Sequence, residues 1–189
     1  MIEDKKLIEN YINGNRYSAD LLIDKYQNLL YKLCNKISKS KDEAEDLFQE
    51  SWLKIFKNIH KYNSSQTFEN WIYTICINLY RDKYNKKKRW LNIVKDYFSN
   101  ENKEVEINNS THNITPLEDL LHKEDRSSIR ASLNSMEDKY RIPLILYYFK
   151  DLSYKDIADI LDIPVGTVKS RLNTSKNRLK SLLKEEFYG

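Results

Sequence analysis

The chain has 189 residues, room for one ordinary domain or two small ones, with 32 basic against 28 acidic residues and a net charge of +4. So mild a charge excludes nucleic-acid binding through a uniformly basic surface and leaves it to local patches. Three glycines and three prolines make tight turns scarce and favour long helices, and no stretch approaches the ~18 apolar residues of a membrane span.

The opening residues MIEDKKLIEN lack a basic segment followed by a long apolar run, so they do not read as a secretory signal and a cytoplasmic location is expected. Leu21, Leu22, Tyr26, Leu29, Leu30, Leu33 and Ile37 then recur at helical spacing, with Ser18 as the expected N-cap. A second helix opens at Ser40, where Glu43 completes a capping box, and turns Leu47, Phe48, Trp52, Ile55, Phe56 and Ile59 inward. The polar run Asn63–Gln66 breaks the pattern. Thr67 caps a third helix through Phe68, Trp71, Ile72, Ile75 and Leu79, which ends in the basic run Lys86–Arg89.

From 93 to 115 asparagine, serine, threonine and acidic residues dominate. Such a segment buries too little apolar surface to offset its ordering entropy, so it reads as a flexible linker. Thr115-Pro116-Leu117-Glu118 signals a helix start, with proline at the first helical position. Two helices follow to about Phe149, the second containing Pro143. Ser153 caps a short helix carrying Ile157, Ile160 and Leu161. After a break at Asp162-Ile163-Pro164 comes a long helix with Val165, Val168, Leu172, Leu179 and Leu183 on one face. Two helices joined by a tight turn, the second longer and basic, make a helix-turn-helix. The chain is thus expected to be all-α: two small helical domains, 1–92 and 116–189, joined by the linker.

Stepping 100° per residue along the last helix places Thr167, Ser170, Thr174 and Asn177 opposite the apolar stripe, with Lys169, Arg171, Asn173 and Arg178 on the flanks. Hydroxyls and amides suit base edges in the major groove, and the cations suit phosphates or guanine. A solvated basic face is the alternative, and the preceding short helix and turn weigh against it. On the second helix, Asp46, Gln49, Glu50, Leu53 and Lys57 face away from the core. An outward leucine among acidic and amide groups fits a protein contact, although a single exposed leucine is ordinary. The third helix turns Asn70, Tyr73, Thr74, Ile77, Arg81 and Tyr84 from its core face. That composition fits either a platform for stacking unpaired bases or packing against another helix. On the first of these readings Lys86, Lys87, Lys88 and Arg89, beside Trp90, hold duplex phosphates.

Cys34 and Cys76 lie within apolar helical patterns and are expected to be buried, without C-x-x-C spacing; His60, His112 and His122 lack metal-ligand spacing. There is no glycine-rich phosphate loop and no nucleophile with a nearby histidine. The reading is therefore of a protein without catalysis, cofactor, metal or small-molecule substrate.

The segments EAEDLFQESWLKIFKNI, FENWIYTICINLYRDKY and LSYKDIADILDIPVGTVKSRLNTSKNRLKSLL resemble, in this order, the signatures of extracytoplasmic-function (ECF) sigma factors of the sigma-70 superfamily, which retain regions two and four. The similarity runs from about Lys6 to Glu185. It implies a factor that binds core RNA polymerase, through the largest-subunit clamp and the flap, and directs promoter-specific initiation. Asp46, Gln49 and Glu50 match the family's clamp-docking D-x-x-Q-E stretch, with Leu53 beside them.

The loop from His60 to Thr67 and the following helix would open the minus-ten element and hold it single-stranded. Tyr62, Asn63, Ser64, Trp71, Tyr73, Thr74, Ile77, Asn78, Arg81 and Tyr84 are the implied contacts, and Asn78 stands at the position of a base-pocket asparagine. Thr167, Lys169, Ser170, Arg171, Asn173, Thr174, Lys176 and Asn177 would read the minus-thirty-five element as duplex. An anti-sigma factor is an expected partner. A stand-alone helix-turn-helix regulator, which would bind an operator tightly without polymerase, is the alternative; a protein-interaction module with no base preference is a third reading.

Overall fold

The computed structural model describes residues 3–98 and 131–188. Its helices are α1 (Asp4–Ile12), α2 (Tyr17–Ile37), α3 (Lys41–Asn58), a single 3-10 turn (Ile59–Lys61), α4 (Phe68–Phe98), α5 (Asp138–Lys150), α6 (Tyr154–Leu161) and α7 (Val165–Tyr188). Residues 131–135 are also helical, and no strand occurs among the described residues.

Several helix starts follow the local chemistry of the sequence. The Ser40 hydroxyl accepts the Glu43 N–H at 3.2 Å, while the Glu43 carboxylate reaches back to the Lys39 N–H at 3.2 Å. Thr67 Oγ1 accepts the Asn70 N–H and so opens α4. At α6 the capping box is reciprocal, between Ser153 and Asp156. Ser18 does not cap α2: the helix has already begun at Tyr17 and Ser18 is buried. The reason is α1, a helix the apolar periodicity did not reveal. Gly14, at φ 95°, turns the chain between α1 and α2. Asp4 then accepts from Lys25 Nζ and Tyr26 Oη, each at 2.6 Å, which seats Leu7 and Ile8 in the core.

The third helix outruns its expected end. α4 continues through the basic run to Phe98, because nothing between 82 and 98 breaks a helix: the stretch contains neither glycine nor proline. The expected boundary at 92 falls inside it, and the rest of the expected linker and the Thr115 capping box lie outside the described residues. The helix-turn-helix is as expected. Asp162 takes a left-handed conformation (φ 52°), Ile163 N–H bonds back to Ala158 O, and Pro164 O accepts from the Thr167 and Val168 N–H groups in the first turn of α7.

α1, α2, α3 and α4 pack around Leu22, Leu30, Leu33, Ile37, Leu47, Ile55 and Ile72, all essentially inaccessible. α5 and α6 both pack on α7 around Ile145, Ile157, Ile160, Val168 and Leu172. The two halves touch where α4 meets α6 and α2 meets α5. Cys34 and Cys76 are both buried and free, their sulfurs 3.6 Å apart, and that mutual contact together with burial pushes the Cys34 thiol up. No described helix is long and apolar enough to cross a membrane.

Candidate protein and nucleic-acid interfaces

Helix periodicity alone placed Asp46, Gln49, Glu50 and Leu53 on one outward stripe of α3, and all four are exposed there, Leu53 by 72%. Two ion pairs fasten this helix to α4: Glu50 to Lys83 at 2.8 Å and Glu43 to Lys87 at 3.2 Å. Both are partly exposed, so they register one helix on the other more than they stabilise the fold. Beside them a groove of about 520 Å³ opens, lined by Asp46, Leu47, Tyr80, Lys83, Tyr84 and Lys87.

Along α4 the candidate strand-binding residues part company. Tyr73 and Ile77 are fully buried and Asn70 nearly so, which corrects the expectation that this stripe faces solvent. The stripe is the seat of the C-terminal half. Asn70 Nδ2 donates to Asp156 of α6 at 2.9 Å, and Arg81 Nη1 donates to Leu161 O at 3.3 Å. Burial first, and then the nearby Arg171 charge, pull the Arg81 guanidinium below its ordinary pKa. Thr74 is half-buried and bonds to Asn70 O of its own helix. Burial and a hydrogen bond to Glu69 hold the Tyr73 phenol protonated well above its usual range.

The neighbouring stripe of α4 is open. Asn78 is exposed, and with Trp71, Ile75 and Leu79 it forms one wall of a groove of about 200 Å³. Lys54, Asn58 and Lys61 form the other wall. These three were not among the expected site residues. Their i, i+4, i+7 spacing is legible in the sequence, but that their stripe meets α4 here is not. Trp71 stacks on Phe68 and meets Tyr62 edge-on, and Tyr62 donates to Gln66 O at 2.8 Å, so the loop at Asn63 and Ser64 hangs from an aromatic post. Asn63 and Ser64 are exposed, as is Tyr84 at 41%, with Lys39 over its ring. Lys86, Lys87 and Arg89 are exposed beside Trp90, itself 65% exposed.

On α7 the expected reading face is presented outward. Lys169, Ser170, Asn173, Lys176 and Asn177 are exposed; Thr167, Arg171 and Thr174 are partly so. The helix is held from behind by Val168 and Leu172, and by Ser175, whose buried hydroxyl bonds to Tyr140 O at 2.8 Å. Val165 is 39% exposed rather than part of the apolar stripe: it is the first residue of α7, three residues ahead of Val168, where the buried stripe begins. Arg178 stacks on Tyr140 at 4.3 Å and pairs with Glu137, and Lys176 lies over Tyr147 and Tyr148.

Two family matches coincide with these surfaces. Residues 22–90 match Sigma-70 region 2, and residues 126–179 match Sigma-70, region 4. The chain belongs to the sigma-70 family. Within it the sigma factor is similar along its length to ECF relatives. It is 29% identical to the ECF RNA polymerase sigma factor SigW of Bacillus subtilis over 181 residues, 96% of this chain and 97% of that protein. It is 25% identical to the ECF RNA polymerase sigma-E factor of Haemophilus influenzae over 182 residues, 95% of each. Among solved structures, the sigma factor RpoE in complex with the anti-sigma factor NepR from Bartonella quintana matches with a TM-score of 0.66 at 25% identity, over 87% of this chain and 96% of that one. CnrH in complex with the cytosolic domain of CnrY, at 15% identity and a TM-score of 0.67 over 96% and 97%, shares the fold. The chain is therefore a sigma factor, similar along its length to members of the ECF group.

Proposed function

We propose that Asp46, Gln49, Glu50 and Leu53 seat this sigma factor on the clamp of core polymerase, and that α4 with the preceding loop holds the minus-ten strand. The observation that carries this reading is the pair of ion pairs Glu50–Lys83 and Glu43–Lys87. They join the polymerase-facing stripe of α3 to the helix that carries the nucleic-acid groove, so seating on polymerase also positions the groove. Single-stranded DNA enters between Trp71 and Asn78 on one wall and Lys54, Asn58 and Lys61 on the other. An aromatic face and amides can stack and bond an unpaired base while the lysines attract its backbone. Captured bases offset the cost of unstacking, so melting draws on binding free energy and needs no catalytic step. Lys86, Lys87, Lys88 and Arg89 hold the adjoining duplex, and the exposed face of α7 reads the minus-thirty-five element.

Region two on this reading spans the chain to the end of α4, and region four begins after the linker. The factor acts in the cytoplasm and takes an anti-sigma partner, as the RpoE of Bartonella quintana takes NepR. Run-off transcription with bacterial core polymerase on genomic fragments tests the reading. Initiation at a small set of promoters, lost with Asp46→Ala plus Glu50→Ala, is the expected result. No stimulation, with tight sequence-specific binding by the free protein, would overturn it in favour of an operator-binding regulator.

A further inference from the structure

We propose that Cys34 and Cys76 form a redox site: a hydroperoxide converts the two thiols to an intramolecular disulfide, which staples α2 to α4 and weakens capture of the promoter strand. The functional half of this inference rests on the reading of α4 given above; the site itself does not. The chain has two cysteines. They stand 42 positions apart, one on α2 and one on α4, and folding brings their sulfurs to 3.6 Å in the core. Both are inaccessible and free. Two groups held in contact react as if at very high concentration, so little search precedes a bond between them. Metal binding is the other use of paired thiols, but a structural zinc takes four ligands. Among the described residues no cluster of three metal-ligating side chains forms, and oxidation is the chemistry the pair fits.

The two thiols are not equivalent. Contact with Cys76 first, and then burial, push the Cys34 thiol up, so it keeps its proton. The Lys150 ammonium, by contrast, is near enough to feel a charge on Cys76. Lys150 donates to Leu29 O of α2 at 3.2 Å and lies over the Tyr73 ring of α4, touching both helices that carry the sulfurs. A cation beside a thiol favours the thiolate, the form that attacks an oxidant. Cys76 is therefore the attacking group. Its thiolate forms an S–O bond with the hydroperoxide as the O–O bond breaks, and the oxyanion released takes up the proton that Cys76 gave. The Cys34 sulfur then forms the S–S bond as the sulfenic S–O bond breaks, and the oxygen leaves as water with the Cys34 proton. The hydroperoxide gains two electrons and the pair loses two, so no further reactant is needed.

Neither sulfur meets solvent, so the oxidant reaches them only where the seam between α2 and α4 opens locally. That reserves the response for sustained oxidant. Bonding then draws the sulfurs about 1.5 Å closer than their present contact. In a core where Leu33, Ile37, Ile72 and Ile77 are also inaccessible, an approach of that size moves backbone as well as side chains. Trp71, Ile75 and Leu79 flank Cys76 along α4 and wall the groove that faces Lys54, Asn58 and Lys61. Drawing α4 toward α2 offsets one wall from the other, and binding sites hold their geometry to within about 0.5 Å.

The test uses the full-length chain, oxidised with hydrogen peroxide and freed of it before polymerase is added. Alkylation after denaturation should find both thiols gone, in a monomeric product lighter by two hydrogens, and dithiothreitol should restore them. The oxidised form should keep its helicity but lose at least about fivefold in single-stranded oligonucleotide binding and in run-off initiation, each regained on reduction. Cys76→Ala, which lacks the attacking thiol, should keep its untreated activity through the same exposure, and Cys34→Ala should give a sulfenic acid that dimedone traps. Should either variant fail to fold, the thiol count and mass of the wild-type chain still decide. Two thiols still titrating after peroxide, a bond formed only between chains, or unchanged activity of the oxidised form would overturn the proposal. A reduced wild-type chain that never stimulates polymerase refutes the sigma reading, while the thiol count still reports on the site.

Discussion

Leu53 offers a sharp test of the polymerase-facing surface, because exposure and binding make opposite demands on it. It is 72% exposed on α3, one turn beyond Gln49 and Glu50. Fully covering a leucine is worth ~1.5–3 kcal/mol, so ~1–2 kcal/mol remains for a partner that covers it. Leu53→Ala forgoes most of that, which weakens binding to core polymerase about five- to thirtyfold. The fold gains little from the residue, so the free energy of unfolding should move by no more than ~0.5 kcal/mol. Competition binding of labelled protein to core polymerase, with urea unfolding of the same variant, measures both quantities. Unchanged affinity for core polymerase would show that this stripe of α3 stays in solvent when the complex forms, and a stability loss of several kcal/mol would show that Leu53 is covered within the fold itself.

Two further predictions concern the scaffold. Ser153→Ala removes the acceptor for the Asp156 N–H at 3.1 Å and half of the α6 capping box; it should cost ~1 kcal/mol in urea unfolding, largely restored by Ser153→Asp. Tyr26, Tyr73 and Tyr80 have phenols raised above their ordinary value of 10.0 by burial, reinforced at Tyr26 and Tyr73 by hydrogen bonds to Asp4 and Glu69. The neutral form is the one the fold favours, so their contribution is complete below pH 10.0 and is lost as pH rises beyond it. Phenolate absorbance from these three should arrive together with loss of helicity; its arrival beforehand, with helicity intact, would contradict their burial.

The outward stripe of α3 and the reading face of α7 were legible residue by residue, because each belongs to a single helix whose other side meets a strongly apolar core. Periodicity then divides inside from outside without reference to anything else. The ends of α3 and α6 were equally local, since Ser40 and Ser153 satisfy backbone N–H groups three residues away. The end of α4 was not. Residues 93–98 adjoin a polar segment and read with it as linker, yet they are largely apolar, contain no glycine or proline and remain helical to Phe98.

What only the tertiary structure decided lies where a helix has two neighbours. Tyr73 and Ile77 share a stripe with Asn70 and Arg81, and no count along α4 tells whether that stripe meets water, DNA or another helix. In this fold the C-terminal half meets it: Asn70 and Arg81 bond to α6, and Lys150 of α5 lies over the Tyr73 ring. The groove between Asn78 and Lys61 depends likewise on the register of α3 against α4. Spacing within a helix is set by bond geometry and can be read from the chain, whereas the pairing of faces is set by packing between residues distant in sequence.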